Sequence, residues 1–333
     1  MDRRPRVVSL LPSATEMLCA IPGGRAVLVG RSHECDWPTG GGPGGGVTDL
    51  PVLTRQRVRG GTPAEIDQQV REIMAHGESL YELDEACLAG LRPDVILTQD
   101  LCAVCSIDLG SVRRVAERIG ARVVSLNAET FEGVLDDMVR VGEAVALIRE
   151  AERAVVGLRE RVYAAGEFAT PFVTGPSVAF LEWTDPLFVG GHWTPQLIER
   201  AGGVHPLNPT EPVAGAGAGE GPIGATQRRA GKSVRVPQEV VAASRPERVI
   251  VCPSGVGLEG AIEAARGLMR EEWFARLPAA SVPGGVAAVD GSAMFNRPGP
   301  RLVEAFEWLV GWLNDRPELI PQGFPWAVVK AGA

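Results

Sequence analysis

No stretch of the 333 residues approaches the ~20 consecutive apolar residues that a membrane-spanning helix needs. The N-terminus, MDRRPRVVSLLPSATE, starts basic, but its apolar run from Val7 to Leu11 contains Ser9 and meets Pro12. That is shorter than the roughly 7–15 residues of a secretory h-region, and no small-residue cleavage site follows. The expectation is a cytoplasmic location without membrane insertion. Positive charge is also scarce: 33 Lys and Arg face 41 Asp and Glu, a net charge of −8. Phosphate binding needs clustered basic residues, so nucleic acid is not an expected partner. Nor is there a general attraction to anionic membranes. Hydrolase signatures are missing, with no G-x-S-x-G elbow and no H-E-x-x-H helix. His76 and His205 lack acidic or nucleophilic neighbours that would complete a catalytic set. The glycine runs near 39–47 and 215–233 match neither the Walker nor the dinucleotide pattern, and read as loops.

What is present is apolar enough to build cores: 45% of residues are hydrophobic, and the length suits two domains. RVVSLL, AVLVG, SLYEL, DVILTQ and ARVVSLN read as short strands. Helical patterns separate them: one after Pro12 with Ser13 as N-cap and Glu16 completing a capping box, and one at 62–77 capped by Thr62 with Pro63 at its first position. Others are expected near 84–91 and over SVRRVAERIG. Strands alternating with helices indicate a mainly parallel sheet. From Thr130 to about Glu167 there is neither strand signal nor proline. Val134, Met138, Val141, Val145, Ile148, Ala151, Val155, Leu158 and Val162 recur at steps of three or four, which predicts one continuous helix. Such a helix would be roughly 50 Å long and would bridge two lobes. The α/β rhythm then returns with SVAFLEW, RVIVCP and GVAAVDG as strands, TPQLIERAGG as a helix capped by Thr194, and PRLVEAFEWLVGWLND as a last long helix. The expected fold is α/β: two Rossmann-like lobes, 1–129 and 168–333, joined by a bridging helix over 130–167.

Two motifs follow predicted parallel strands, where open α/β sheets bind ligands. AVLVG runs into Arg31-Ser32-His33-Glu34-Cys35-Asp36-Trp37, and DVILTQ into Asp100-Leu101-Cys102-Ala103-Val104-Cys105. His33, Cys35, Cys102 and Cys105 would form a Cys3His set for Zn or another thiophilic metal. A redox pair at Cys102 and Cys105, or unligated thiols, fit the same residues. Cys19 and Cys87 lie in apolar helical patterns and read as small core residues. In the second half, Glu182 and Trp183 end a strand, and Gly190-Gly191-His192-Trp193 precede a helix. Two indoles, an imidazole and a carboxylate suit a large flat ligand. The same tryptophans also fit core packing, with His192 capping the helix. Arg297 in FNRPGPR would meet an anionic group or brace the Pro-Gly-Pro turn.

VVSLLPSATEML, GRSHECDWP, LRPDVILTQDLC, FLEWTDPLFVGGHWTPQLIERAGG and DGSAMFNRPGPRLVE together resemble the vitamin B12-binding branch of the helical-backbone solute-binding proteins of ABC transporters. The resemblance runs from about Arg6 to Asp315, the glycine-rich loops excepted. It implies a cleft holding a corrinoid, a metal chelate or a metal ion, with Ser13, Trp37, Trp183, His192, Trp193, Phe295 and Arg297 in range. It also implies a partner permease docked through surface carboxylates. The missing secretion signal departs from that pattern and counts against periplasmic capture and permease docking. The function expected is non-catalytic binding of cobalamin or a related metal complex. A metal-dependent enzyme using the Cys/His set, or a thiol-redox protein, is the alternative.

Overall fold

The computed structural model describes residues 4–40, 45–100, 107–169, 175–213 and 228–330. The chain divides into two compact units, Met1–Ala128 with Glu132–Arg159, and Glu129–Phe131 with Glu160–Ala333.

In the first unit, β1 (Val7–Ser9) leads through Pro12 into α1 (Pro12–Ala20), and β2 (Leu28–Gly30) follows a 3-10 turn. The short β3 (Thr54–Gln56) pairs antiparallel with β4 (Tyr81–Leu83) around α2 (Pro63–Ala75). Then come α3 (Glu85–Leu91), β5 (Val95–Thr98), α4 (Leu109–Ile119) and β6 (Arg122–Ser125). The main sheet is parallel in the order β2-β1-β5-β6. β1 and β5 are buried along their whole length. They therefore read as continuous apolar runs rather than alternating ones. Val8, Leu88, Ile96, Val112 and Val115 pack together between sheet and helices. The cap of α2 is as the sequence predicts: the Glu65 N–H donates to the Thr62 hydroxyl, Glu65 reaches back to the Thr62 N–H, and Pro63 opens the helix. The cap of α1 is not. Pro12, which needs no N–H partner at a helix start, takes the first position, so Leu11 becomes the N-cap and Ser13 lies inside the first turn.

The predicted single rod is corrected to two helices, α5 (Phe131–Ala144) and α6 (Ile148–Gly166). Ala146 adopts the left-handed region at φ 59°. Leu147 N–H donates to Gly142 O at 2.7 Å and Ala146 N–H to Glu143 O at 3.3 Å. These are the paired bonds of a Schellman terminus. Leu147 O then accepts from Ala151 N–H at 3.0 Å and starts the next helix. Val145 and Ala151 stay buried on either side of the turn, while Ile148 of the predicted stripe is exposed.

The second unit holds β7 (Val178–Thr184), β8 (Leu187–Val189), α7 (Trp193–Arg200), β9 (Glu211–Pro212), β10 (Arg228–Arg229) and β11 (Val234–Arg235). It continues through α8 (Gln238–Ala243), β12 (Arg248–Val251), α9 (Leu258–Arg270), two short turns of helix, β13 (Val286–Val289), α10 (Leu302–Leu313) and β14 (Trp326–Val328). Its six-stranded sheet has the order β11-β8-β7-β12-β13-β14. β7, β12 and β13 run parallel, while β8 and β14 are antiparallel to their inner neighbours. One face buries Ala179, Leu181, Val249, Val251 and Ala288 against Ala261, Ala265 and Leu268 of α9. Near α10, Trp308 stacks between Trp312 at 5.2 Å and Phe324 at 5.4 Å. Among the described residues no helix is long and apolar enough to cross a membrane.

Candidate functional site

In the first unit the loop after β2 is wound around a guanidinium. Arg31 Nη1 donates to the carbonyls of Ser32 (3.1 Å), His33 (3.4 Å) and Cys35 (3.0 Å), and Nη2 to that of Thr48 (2.9 Å). Four carbonyls on one cation fix the loop and send its side chains in different directions. His33 turns to β3, where Thr54 Oγ1 accepts from the His33 backbone N–H at 3.1 Å and stands 2.7 Å from Nδ1. Burial lowers the His33 pKa, with Glu34 opposing the shift and Arg31 adding to it. The imidazole is therefore neutral at pH 7. Cys35 is buried against α1, its Sγ 2.9 Å from Thr15 Oγ1. Ser13 is buried too, and Trp37 keeps part of its surface.

Cys102 and Cys105 lie outside the described residues, and so does their predicted meeting with His33 and Cys35. Among the described residues, no group of three or more His, Cys, Asp or Glu side chains is arranged to hold a metal ion. Ile107, just beyond that segment, borders the same small void as Ser32, Glu34, Thr54 and Tyr81. Tyr81 is also a wall of an open groove of about 880 Å³, with Leu83, Ile107 and Leu109 as apolar lining and Arg57, Glu82 and Asp108 among its charged residues. The Tyr81 ring stands 5.8 Å from that of His33. Neither Thr54 nor Tyr81 is marked by any sequence motif. They reach His33 through the β3–β4 pairing, Thr54 opposite Leu83.

In the second unit, Glu182 and Trp183 end β7 and are half-buried, with Trp183 Nε1 donating to Asp185 O at 3.1 Å. Gly190 to His192 do not leave a parallel strand. β8 returns antiparallel, and Gly190 N–H donates to Phe180 O at 3.0 Å, halfway along β7. His192, not Thr194, is the N-cap of α7, held at φ 53°. Its ring stacks on Trp193 at 5.5 Å, and burial lowers its pKa. Trp193 is only 7% exposed, and its Nε1 donates to Phe295 O at 2.6 Å. Phe295, at φ 59°, packs edge-on against Phe180 at 5.0 Å. Arg297 is buried. Of the residues predicted for this face, Glu182, Trp183 and His192 retain surface, while Trp193, Phe295 and Arg297 are packed inside.

The loop carrying Phe295 is braced by residues that the sequence reading did not single out. Asp290 Oδ1 accepts from the Ser292 and Ala293 N–H groups, both at 3.0 Å, and Oδ2 from Leu258 N–H at 3.2 Å. Asn296 Nδ2 donates to Cys252 O at 3.2 Å and Gly291 O at 2.9 Å. The signal in the sequence is Asp290-Gly291-Ser292, a pattern in which an aspartate bonds its own following backbone. Cys252 at the end of β12 is fully buried, and burial raises its pKa far above that of a reactive thiol.

No protein-family model matches the chain, and no curated protein matches it by sequence. Solved structures do match. A periplasmic heme-binding protein from Pseudomonas aeruginosa superposes with a TM-score of 0.64 at 20% identity, over 94% of this chain and 94% of its own. The periplasmic vitamin B12-binding protein of Vibrio cholerae gives 0.63 at 19% identity, over 95% and 98%. A periplasmic heme-binding protein from Roseiflexus sp. RS-1 gives 0.61 at 19% identity, over 94% and 99%. Over nearly its whole length, the chain has the class III solute-binding protein fold.

Proposed function

We propose that the protein is a non-catalytic binding protein for cobalamin or a related corrinoid or metal complex. The observation that carries this reading is the fold, shared along almost the full chain with proteins that bind heme and vitamin B12. The surfaces left by packing support it. In the second unit Trp183 is half-buried at the end of β7, and Glu182 and His192 are half-buried polar groups of the same unit. Corrins are broad and apolar on their faces with amides at the rim, which suits flat aromatic walls and a few polar anchors. A cytoplasmic location belongs to the same reading and is checked by cell fractionation.

Fluorescence tests it. Hydroxocobalamin should quench the tryptophan emission saturably, beyond the inner-filter loss seen with free tryptophan. Trp183→Ala should weaken the half-saturation by a factor corresponding to about 1–3 kcal/mol, the scale of one buried aromatic contact. Glu152→Gln, at an exposed position on α6, should leave it unchanged. Quenching no greater than that of free tryptophan would remove the corrinoid reading.

A further inference from the structure

Among the described helices, α6 alone exposes three large apolar side chains: Ile148 (41%), Val156 (53%) and Tyr163 (74%). Its other face is the buried one, formed by Ala151, Val155, Val162 and Ala165. On the exposed face Arg149, Val156 and Tyr163 follow at intervals of seven residues. Seven residues are just under two turns, so the three lie along one line of the helix. Glu152 and Arg159 form a row on one side of that line, and Arg153 and Glu160 a row on the other, all four exposed. Each row therefore carries opposite charges at its two ends. The side chains of Arg149, Glu152 and Glu160 make no ion pair among the described residues. Arg153 meets Glu150 at 3.1 Å and Arg159 meets Asp136 at 2.9 Å. These are exposed pairs of small worth, and each guanidinium has further N–H donors.

We propose that this face of α6 docks a second copy of the chain, the two α6 helices packing antiparallel about a two-fold axis at Val156. An axis perpendicular to the helices brings the start of each row against the end of the same row on the other copy. Glu152 then meets Arg159 of the partner subunit, and Arg153 meets Glu160 of the partner subunit. Arg149 lies over the ring of the partner's Tyr163, a cation on an aromatic face. Val156 packs on the partner's Val156, and the two helix dipoles oppose. A parallel pair would align the dipoles and set Arg149 against the partner's Arg149. The antiparallel pairing leaves no charge of the five facing its own sign, and it requires no ligand.

The test is sedimentation velocity of the full chain at rising concentration. One helix face on another buries less than the ~1,200 Å² of stable complexes, so association should be weak, half complete on the order of 10–100 µM. Arg153→Glu sets glutamate against the partner's Glu160 and should raise that concentration about tenfold or more. Glu160→Arg sets arginine against arginine and should do the same. The two together restore opposite charges and should return the wild-type value. Val156→Glu puts two carboxylates on the axis and should leave only monomer. The thermal midpoint of each variant checks that it folds. If the variants do not fold, the wild type decides: its dimer should weaken as sodium chloride rises, because the pairs are exposed. A chain that stays monomeric to about ten times the expected concentration overturns the proposal. So does a dimer indifferent to both reversals or to salt. A double reversal that fails to rescue also overturns it, since that is the result of a parallel pair, in which Arg153 faces the partner's Glu152.

Discussion

His205 shows how burial alone sets a pH response. It is fully buried, and desolvation pushes its pKa down from 6.5 to about 4. Its Nε2 accepts from the Phe180 N–H at 3.4 Å, a bond that protonation would break. The unfolded chain therefore binds a proton that the folded chain refuses between those two values. Stability is full above about pH 6.5 and falls as pH drops toward 4, by about 3 kcal/mol from this group. Urea midpoints measured across that window should fall with acid, and His205→Gln should flatten the slope. An unchanged slope in the variant would contradict the assignment. Trp193 is a second residue whose role is set by what it touches. The sequence places an indole before a helix, a pattern that serves a ligand wall and a core plug equally well. Burial and the bond to Phe295 O make it a plug in this structure. Trp193→Phe should cost about 1 kcal/mol for the hydrogen bond, and Trp193→Ala about 3–5 kcal/mol for the cavity, by chemical denaturation.

At the scale of elements, the connection between α5 and α6 is the most informative. Ala146 sits in a left-handed conformation that disfavours a Cβ, and glycine is the usual residue there. Ala146→Gly should raise stability by about 0.5–1 kcal/mol. In a continuous helix the same change would lower it by about 1 kcal/mol. The thermal midpoint thus decides between two helices and one. Hydrophobic periodicity could not reveal the turn, because apolar residues keep their spacing through Val145, Ile148 and Ala151 and no glycine marks the stop. Where chemistry marked the boundary, the sequence was enough. Thr62, Pro63 and Glu65 announce the start of α2, and Thr62→Ala should cost about 1 kcal/mol. The short strands β3, β8 and β14 have three residues each, too few for a period to show.

At the scale of the molecule, the two α/β units and their parallel sheet centres are legible from the alternation of apolar runs with helical stripes. The paired Arg-Pro strands point the same way: Arg92-Pro93 before β5 and Arg245-Pro246 before β12. The chemistry around His33 is less legible, because its neighbours Thr54 and Tyr81 come from the paired strands β3 and β4, which no motif links to it. The ligand is less legible still. At 20% and 19% identity one fold serves heme in one protein and vitamin B12 in another, so the fold alone does not choose between them. A ligand that binds only the folded chain stabilises it in proportion to its occupancy. Corrinoid at about 100 times its Kd should therefore add roughly 2.7 kcal/mol to the unfolding free energy and raise the thermal midpoint.

The most direct measurement is a calorimetric titration of the full chain, at micromolar concentration, with hydroxocobalamin and with cobinamide. Saturable binding of at least one of them, with no product formed from it, is the expected outcome. Heats indistinguishable from dilution for both corrinoids would contradict it.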